Sequence, residues 1–448
     1  MHRRFLLLVA LAALACAGCS GGGGGSQSGG SLPPSKPTPT PAPPASPIKH
    51  VVIMIQENRS FDDFFATYPG ADGTTTGVTH DGKHVALTKT SLIDRIDIRH
   101  QWQTFVTEYD GGKMDGFDRI EFDDGQPAGL FPYQYVDPKQ LQPYWTMARQ
   151  YVLADHMFET QSSGSFVGHQ ELIAGSTAIN STQSLTNYPS NPPWGCDAPK
   201  STVTSLITTH GFEGRMGPFP CLTYPTLRDS LDQAGVSWKY YAPTFNYQSG
   251  GYIWTAFDAI RAVRYSSEWK SNVITPQTRV FTDISKGTLP AVSWVIPDRT
   301  DSDHPQSHSS SGPAWVASVV DAIGQNPSLW KSTAIIIIWD DWGGFYDHMP
   351  PPQLDYQGLG FRVPMLVVSA YAKKDYVSHT QYEFGSILKF VEENFGLQPL
   401  GTTDVRATSI GNVFNLNAPP RPFHKIDAPL SKTYFERRPP SYEPVDTE

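Results

Sequence analysis

The chain has 448 residues, 39% of them hydrophobic, which is enough apolar material for a sizeable core. Its 43 acidic residues outnumber its 34 basic residues, and the formal net charge is −9. A chain with this acidic balance has no overall positive field for binding nucleic acid, so we exclude nucleic acid as a partner.

Residues 1–19 have the pattern of an export signal. A basic start precedes an apolar stretch, residues 5–15, that is too short to span a bilayer as a helix. The sequence Ala-Gly-Cys that ends at Cys19 resembles a lipoprotein processing site, whereas Cys16 departs from that pattern and leaves a plain secretory signal open. We predict an exported protein that faces the periplasm or the exterior, held at a membrane if Cys19 carries a lipid.

A change of composition separates this segment from the rest of the chain. Residues 20–47 are rich in Gly, Ser and Pro, which is typical of a flexible or extended tether. Residues 48–448 show no internal repeat and no second linker, so we predict a single domain there. Its end, residues 397–448, is rich in Pro and Arg and is interpreted as a C-terminal tail that wraps the surface.

The segment HVVIMIQENRSFDDFF, residues 50–65, carries the strongest local pattern. Its apolar, β-branched start predicts a buried strand over residues 50–56. Glu57 and Asn58 follow that strand directly. In open α/β sheets, sites form in the crevice beyond the carboxyl ends of the strands, so we predict functional roles for these two side chains.

A second candidate segment is QSSGSFVGHQELI, residues 161–173. Gly164 permits a sharp turn, and the helix predicted from Phe166 onward places Ser165 at a helix start, where backbone N–H groups and the helix dipole favour an anion. His169 lies one turn further along on the same face. The alternative is that Ser165 is only an N-cap.

Cys196 and Cys221 are the cysteines that remain after removal of an export signal. In an oxidising compartment they predict one structural disulfide that ties a long loop. A metal site built on the two cysteines is the less favoured alternative, because no further ligands occur at the usual spacing.

The later part of the chain alternates strand and helix patterns. One helix is predicted to begin near Pro313, and another opens with a capping-box pattern at residues 380–383 and ends before Gly396. Alternation of this kind predicts an α/β fold with a mainly parallel sheet covered by helices on both faces. Gly/Pro/aromatic stretches at 66–90, 176–200 and 240–256 are predicted to be long loops over one end of the sheet. The further predicted strands are residues 236–241, 290–296, 333–339 and 363–369.

Asp340 and Asp341 follow the predicted strand 333–339 in the same way that Glu57 follows the first strand. Adjacent carboxylates repel each other unless a cation lies between them. Oxygen ligands of this kind favour a divalent ion such as magnesium, calcium or manganese. The Gly-Gly pair that follows could turn the chain and bring His348 back toward the two carboxylates. The alternative is a solvated turn without a ligand.

Two more histidines, His100 and His304, lie in short polar segments, DIRHQW and SDHP. Taken singly, each is typical of a structural or surface residue. Grouped with the residues above, they would supply proton donors and phosphate-binding contacts.

Together these segments resemble the bacterial phosphoesterase family that unites phosphatidylcholine-type phospholipases C with respiratory-burst-inhibiting acid phosphatases. The resemblance runs from residue 50 to residue 396 in the order that the family shows. The segments that carry it are HVVIMIQENRSFDDFF, GGKMDGF, DHMFETQSSGSFVGHQ, DHP, IIIIWDDWGGFYDHMPPP, GFRVPMLVVSAYAKK and VSHTQYEFGSILKFVEENFG.

The resemblance implies an alkaline-phosphatase-like α/β fold, one divalent metal ion and a serine nucleophile, Ser165. It implies that His100, His169 and His304 act on the substrate, and we expect His348 to protonate the leaving oxygen. The implied metal ligands are Glu57, Asn58, Asp340, Asp341 and Ser165.

The predicted function is therefore an exported, metal-dependent phosphoesterase that works through a phosphoserine intermediate, with magnesium, calcium, manganese or zinc as its ion. The substrate is a phosphate ester and could be a phospholipid. The phospholipase branch often has Asp-Glu where this chain has Asp340-Asp341, which favours a phosphatase. The alternative is a non-catalytic surface lipoprotein that binds a phosphorylated ligand.

Overall fold

The computed structural model describes residues 46–94, 96–244 and 251–441. The strands are β1 (His50–Gln56), β2 (Thr76–Val78), β3 (His84–Ala86), β4 (Thr88–Thr90), β5 (Gln134–Val136), β6 (Val152–Ala154), β7 (Met157–Phe158), β8 (Ala178–Asn180), β9 (Gln183–Thr186), β10 (Ser205–Thr208), β11 (Gly211–Gly214), β12 (Trp238–Tyr241), β13 (Val273–Ile274), β14 (Val292–Val295), β15 (Thr333–Trp339), β16 (Met365–Ser369), β17 (Tyr376–Ser378) and β18 (Tyr382–Glu383). The α-helices are α1 (Phe61–Phe65), α2 (Trp102–Tyr109), α3 (Gln142–Gln150), α4 (Ser165–Ala174), α5 (Leu227–Gln233), α6 (Gly251–Trp254), α7 (Arg261–Arg264), α8 (Glu268–Ser271), α9 (Arg279–Lys286), α10 (Gly312–Gly324), α11 (Pro327–Trp330), α12 (Phe384–Phe395), α13 (Thr403–Arg406) and α14 (Lys432–Arg437).

A large central sheet organises the fold, with the strand order β13-β12-β14-β1-β15-β16-β6-β17. The strands from β13 to β15 run parallel to one another. Strand β16 is antiparallel to both of its neighbours, and β17 is parallel to β6. The predicted α/β class with a mainly parallel sheet is confirmed, and β16 is the strand that departs from it.

The two most apolar strands, β1 and β15, lie side by side at the centre of this sheet. Their register pairs Met54 with Ile337 and Gln56 with Trp339, and every residue of β15 is buried. Continuous apolar runs are stable there because helices cover both faces of the sheet. Both strands end at the same edge, where the backbone N–H of Asp340 donates to the carbonyl of Gln56 at 3.0 Å.

Helices cover both faces of the sheet, as predicted. Trp294 of β14 donates its indole N–H to the carbonyl of Leu172 in α4 at 3.1 Å. Trp339 of β15 packs edge-on against Tyr144 of α3, with ring centroids 5.0 Å apart. In the register, Trp294 lies beside Ile53 and Trp339 lies beside Gln56. Because residues an odd number apart in a strand point to opposite faces, α4 and α3 lie on opposite sides.

The start of α12 differs from its prediction. Residues Tyr382 and Glu383 pair with β7 as a short strand, so the helix begins at Phe384, beyond the expected cap at residues 380–383. The capping box is formed instead by Glu383 and Ser386. The predicted end is confirmed, because Gly396 adopts the left-handed conformation at φ 64°.

The stretches predicted to be long loops contain short strands. Residues 66–90 include β2, β3 and β4, and residues 176–200 include β8 and β9. Strands of three or four residues carry too few alternating positions to be recognised among glycines and prolines. Of the third stretch, residues 245–250 lie outside the described part of the chain.

The predicted disulfide joins Cys196 and Cys221, whose Cα atoms are 4.4 Å apart. In the predicted tail, Phe435 of α14 packs edge-on against Trp315 of α10, with ring centroids 5.5 Å apart. The predicted export signal and residues 20–45 of the predicted tether lie outside the described residues. Within the described ranges, no helix has both the length and the apolar character needed to cross a bilayer.

Candidate functional site

The ends of β1 and β15 bring acidic and amide side chains together. Asn58 has a left-handed backbone at φ 56°, a conformation that asparagine adopts more readily than most residues. This turn directs its backbone N–H to Oδ1 of Asp340 at 3.0 Å. The predicted meeting of the two strand ends is therefore present in the structure.

The turn after Asp341 requires glycine. Gly343 has φ 63°, and a Cβ at this position would overlap the carbonyl oxygen of Asn58. The close approach lets the N–H of Gly343 donate to Oδ1 of Asp341 at 2.8 Å. The second carboxylate is thereby fixed in orientation.

Ser165 is the first residue of α4, and Gly164 occupies the N-cap position. The interpretation of Ser165 as an N-cap is therefore wrong, because its hydroxyl points to the strand ends instead of to its own helix. Its Oγ lies 3.2 Å from Oδ2 of Asp341 and 3.4 Å from Oδ1 of Asn58. The arrangement places a buried hydroxyl at a helix N-terminus beside a carboxylate.

His100 fixes the orientation of Asn58. Its Nδ1 lies 2.6 Å from the carbonyl of Ile98, so Nδ1 carries the proton and donates. In the neutral ring Nε2 is then the acceptor, and it lies 2.8 Å from Nδ2 of Asn58. The amide oxygen of Asn58 therefore faces Ser165. The same Nε2 is 3.9 Å from Oδ2 of Asp341.

His169 forms a buried group with Glu57 and Asp340. Its Nε2 lies 3.0 Å from Oε1 of Glu57 and 3.6 Å from Oδ2 of Asp340. One ligand atom from each of the three residues lies within 4.8 Å of the others. Burial raises the pKa of Asp340 well above its ordinary value, reinforced by the charge of Glu57, and burial lowers the pKa of His169.

These residues fit a divalent metal ion. Oδ2 of Asp340 is fully buried, and no group in the described part of the chain donates a hydrogen bond to it. Two buried carboxylates at this separation repel each other, and a cation between them would remove that repulsion. An imidazole in the same group widens the choice toward borderline ions such as zinc or manganese.

His169 was predicted to act on the substrate, and its place among the carboxylates makes it a candidate metal ligand instead. The sequence contained part of this information, because His169 lies one helical turn from Ser165 on the same face. What it could not show is that α4 passes close to the end of β15. That approach depends on Gly168, where a Cβ would overlap the carbonyl oxygen of Asp340.

His348 lies in a separate group and does not turn back toward Asp340 and Asp341. Its Nδ1 is 2.6 Å from Oδ2 of Asp62, and its Nε2 is 3.3 Å from Oδ1 of Asp72. The turn at the Gly-Gly pair carries the chain past the strand ends, because Asp347 pairs with buried Arg362 at 2.9 Å. The prediction that this turn brings His348 to the paired carboxylates is wrong.

His304 lies on a loop that borders the site. The backbone N–H of Glu57 donates to the carbonyl of Ser302 at 2.8 Å, which holds that loop against the end of β1. The His304 ring packs on Trp254 with centroids 5.8 Å apart, and its Nε2 is 3.6 Å from Oδ2 of Asp97.

Glu159 is a further acid near the site that the sequence did not indicate. It is buried, and burial together with the charge of Asp341 raises its pKa well above the ordinary value. Its position within the motif DHMFETQSSGSF was the only available sign.

Comparisons with known proteins address the family to which this chain belongs. The family model described as Phosphoesterase family matches residues 48–398. Phospholipase C B of Mycobacterium tuberculosis is 25% identical over 436 residues, covering 84% of this chain and 79% of that protein. Non-hemolytic phospholipase C of Pseudomonas aeruginosa is 24% identical over 428 residues, covering 82% of this chain and 56% of that protein.

Among solved structures, a protein in the alkaline phosphatase superfamily from Vibrio parahaemolyticus covers 81% of this chain and 71% of its own, with 10% identity and a TM-score of 0.39. The family model spans most of the chain and includes every residue of the site described above. The chain therefore belongs to the phosphoesterase family and is a phosphoric ester hydrolase.

Proposed function

We propose that this protein is an exported, metal-dependent phosphoesterase in which Ser165 is the nucleophile and forms a phosphoserine intermediate. The observation that carries the proposal is the position of Ser165 Oγ, 3.2 Å from Oδ2 of Asp341 at the N-terminus of α4. A hydroxyl placed in this way has a proton acceptor on one side and anion-binding backbone N–H groups on the other.

The residues that would hold the metal ion are Glu57, Asn58, Asp340 and Asp341, with His169 added by its place in the buried group. A divalent ion bound there would supply positive charge that stabilises both the phosphate group and the serine alkoxide. The ligand set contains both oxygen and nitrogen atoms, so it suits manganese or zinc as well as magnesium or calcium.

The protein's own groups account for the two halves of the reaction. Asp341 accepts the proton of Ser165 as Oγ bonds to phosphorus and the bond from phosphorus to the leaving oxygen breaks. Water then hydrolyses the phosphoserine and restores the hydroxyl. Asn58 keeps Oγ in line by offering its amide oxygen at 3.4 Å.

We propose no role for His348 in protonating the leaving oxygen, because both of its ring nitrogens face other aspartates. We propose instead that His100 positions Asn58, since its Nδ1 donates to the carbonyl of Ile98 and its Nε2 accepts from the Asn58 amide, and that water protonates the leaving oxygen. His304, on the loop held against Glu57, is proposed to contact the phosphate.

The substrate class is proposed from two opposing observations. The relatives named as phospholipases C favour a phosphodiester such as a choline phospholipid. The Asp340-Asp341 pair favours a phosphomonoester. The proposed lipid on Cys19 would hold the enzyme at a membrane surface, where a phospholipid substrate is accessible.

The experiment compares hydrolysis of p-nitrophenyl phosphate with that of p-nitrophenylphosphorylcholine by residues 48–448, with and without chelator. We expect Ser165→Ala and chelation each to remove turnover. Ser162→Ala is the matched control, because its hydroxyl donates to the carbonyl of Leu359 at 3.3 Å and takes no part in the site. The substrate that is hydrolysed faster decides between the phosphatase branch and the phospholipase C branch of the family.

A phosphorylated Ser165 trapped by acid quenching would identify the intermediate directly by mass spectrometry. Activity that survives Ser165→Ala would exclude the proposed nucleophile. Absence of turnover with either substrate and with every divalent ion would favour a surface protein that binds a phosphorylated ligand without hydrolysing it.

A further inference from the structure

A second cluster of metal-binding side chains lies at the edge of the central sheet, outside the Ser165 site. It consists of Asp72, Asp155, His156 and His379, which we call the sheet-edge cluster. Asp155 and His156 lie between β6 and β7, and His379 follows β17 directly. Asp72 comes from the segment after α1. The cluster therefore gathers three segments that are distant in sequence.

The ligand atoms of the sheet-edge cluster are already close to one another. His379 Nδ1 is 2.8 Å from Oδ2 of Asp155, and His156 Nε2 is 3.3 Å from Oδ2 of Asp72. His156 Nε2 is also 4.0 Å from Oδ1 of Asp155. Tetrahedral zinc with bonds of about 2.0 Å separates its ligand atoms by about 3.3 Å. One ligand atom from each of Asp155, His156 and His379 lies within 4.8 Å of the others, and Asp72 adjoins this group through His156.

Asp155 supplies the second observation that points to a ligand. Its side chain is fully buried, and Oδ2 receives the backbone N–H of Asp72 at 2.8 Å. Among the residues that the structure describes, none donates a hydrogen bond to Oδ1. A buried carboxylate oxygen without a donor is costly unless a cation occupies the adjacent space. His156 Nε2 lies 4.0 Å from that oxygen.

Exposure makes the cluster accessible to an ion from solution. The His379 side chain is 58% exposed and that of Asp72 43% exposed, whereas His156 is 23% exposed. The cluster thus has a buried carboxylate at its bottom and is open to solvent at its rim. The other oxygen of Asp72 contacts His348 at 3.3 Å, so it does not compete for the position facing His156.

We propose that the sheet-edge cluster binds one divalent transition-metal ion, with zinc as the best match to its two imidazoles and two carboxylates. The ion joins the segment after α1 to β6 and to the edge strand β17. Its role is to stabilise this edge, and the reaction at Ser165 does not depend on it.

The test counts zinc on protein that carries no histidine tag. Wild type, His379→Ala and His156→Gln are dialysed against zinc and then against metal-free buffer, and bound zinc is measured by elemental analysis. His80→Ala is the matched control, because His80 is an exposed histidine paired with a single aspartate, Asp118, at 2.6 Å. The Ser165 site is unchanged in all of these proteins, so its contribution cancels.

We expect both cluster variants to retain one zinc fewer per chain than wild type and His80→Ala. Titration should show zinc binding at the cluster weakened by about tenfold or more on loss of one ligand. Zinc should also raise the unfolding temperature of wild type more than that of His379→Ala. Equal zinc content in wild type, His379→Ala and His156→Gln would overturn the proposal.

Discussion

At the scale of single residues, Asn58 connects most of the candidate site. Its backbone N–H binds Asp340, its amide nitrogen faces His100, and its amide oxygen faces Ser165. The sequence identified Asn58 as a candidate ligand from its position after β1. It could not show the left-handed backbone, because that conformation follows from contacts with residues almost three hundred positions later.

Two substitutions at Asn58 separate its side chain from its backbone. Asn58→Gly keeps the left-handed conformation accessible and removes the amide, so we expect a fall in kcat of about 10²- to 10³-fold with little loss of stability. Asn58→Ala removes the same amide and adds about 1 to 2 kcal/mol of backbone strain. Steady-state kinetics and urea unfolding would measure both effects.

Full activity in Asn58→Gly would contradict the orienting role given to this side chain. Equal stability of the glycine and alanine variants would contradict the strained backbone.

At the scale of elements, the site depends on how closely α4 approaches the end of β15. Periodicity and turn residues predicted both elements, and β15 was predicted with its observed bounds. The distance between them was not predictable, because it depends on a three-dimensional contact between Gly168 and the carbonyl of Asp340. The same limitation explains the wrong prediction for His348. The direction of its side chain is determined by the ion pair between its neighbour Asp347 and Arg362.

Gly168→Ala tests this approach. Alanine in place of glycine within a helix ordinarily stabilises by about 1 kcal/mol. Here the added Cβ overlaps a backbone carbonyl, so we expect α4 to shift away from β15 and the protein to lose stability instead. Ser165 would move with the helix. Because a small misplacement of a reacting group slows the chemical step, we expect kcat to fall by more than about tenfold.

Urea unfolding and turnover of a p-nitrophenyl ester would give both quantities. A Gly168→Ala variant that is more stable than wild type and fully active would contradict the close approach of α4 to β15 at this position.

At the scale of the whole molecule, the stability of the protein should depend on the protonation of His348. Burial lowers the pKa of His348, but its hydrogen bond to Asp62 and the charges of Asp62 and Asp347 outweigh burial and raise the pKa to about 8. The stabilisation that protonated His348 gives to the folded protein is fully present below the ordinary pKa of about 6.5 and is lost as the pH rises through 8.

We expect the free energy of unfolding of wild type, relative to that of His348→Gln, to fall by about 2 kcal/mol between about pH 6 and pH 9, because the pKa of His348 is raised to about 8. Urea unfolding of both proteins at the two pH values measures this difference. The exposed pair of His80 with Asp118 provides the control, because exposed ion pairs contribute little, and His80→Gln should follow wild type. A constant difference between wild type and His348→Gln would contradict the raised pKa.

The central position of β1 has a consequence for the order of folding. The first strand of the described chain has both of its partners, β14 and β15, in the second half of the sequence. During synthesis this apolar strand therefore stays unpaired until residues beyond Val292 and Thr333 have been made. Such non-local pairing slows folding and exposes an aggregation-prone edge meanwhile. The emerging chain should thus need a chaperone to keep this strand from aggregating, and it acquires no hydrolytic activity until Asp340 and Asp341, which follow β15, have been synthesised.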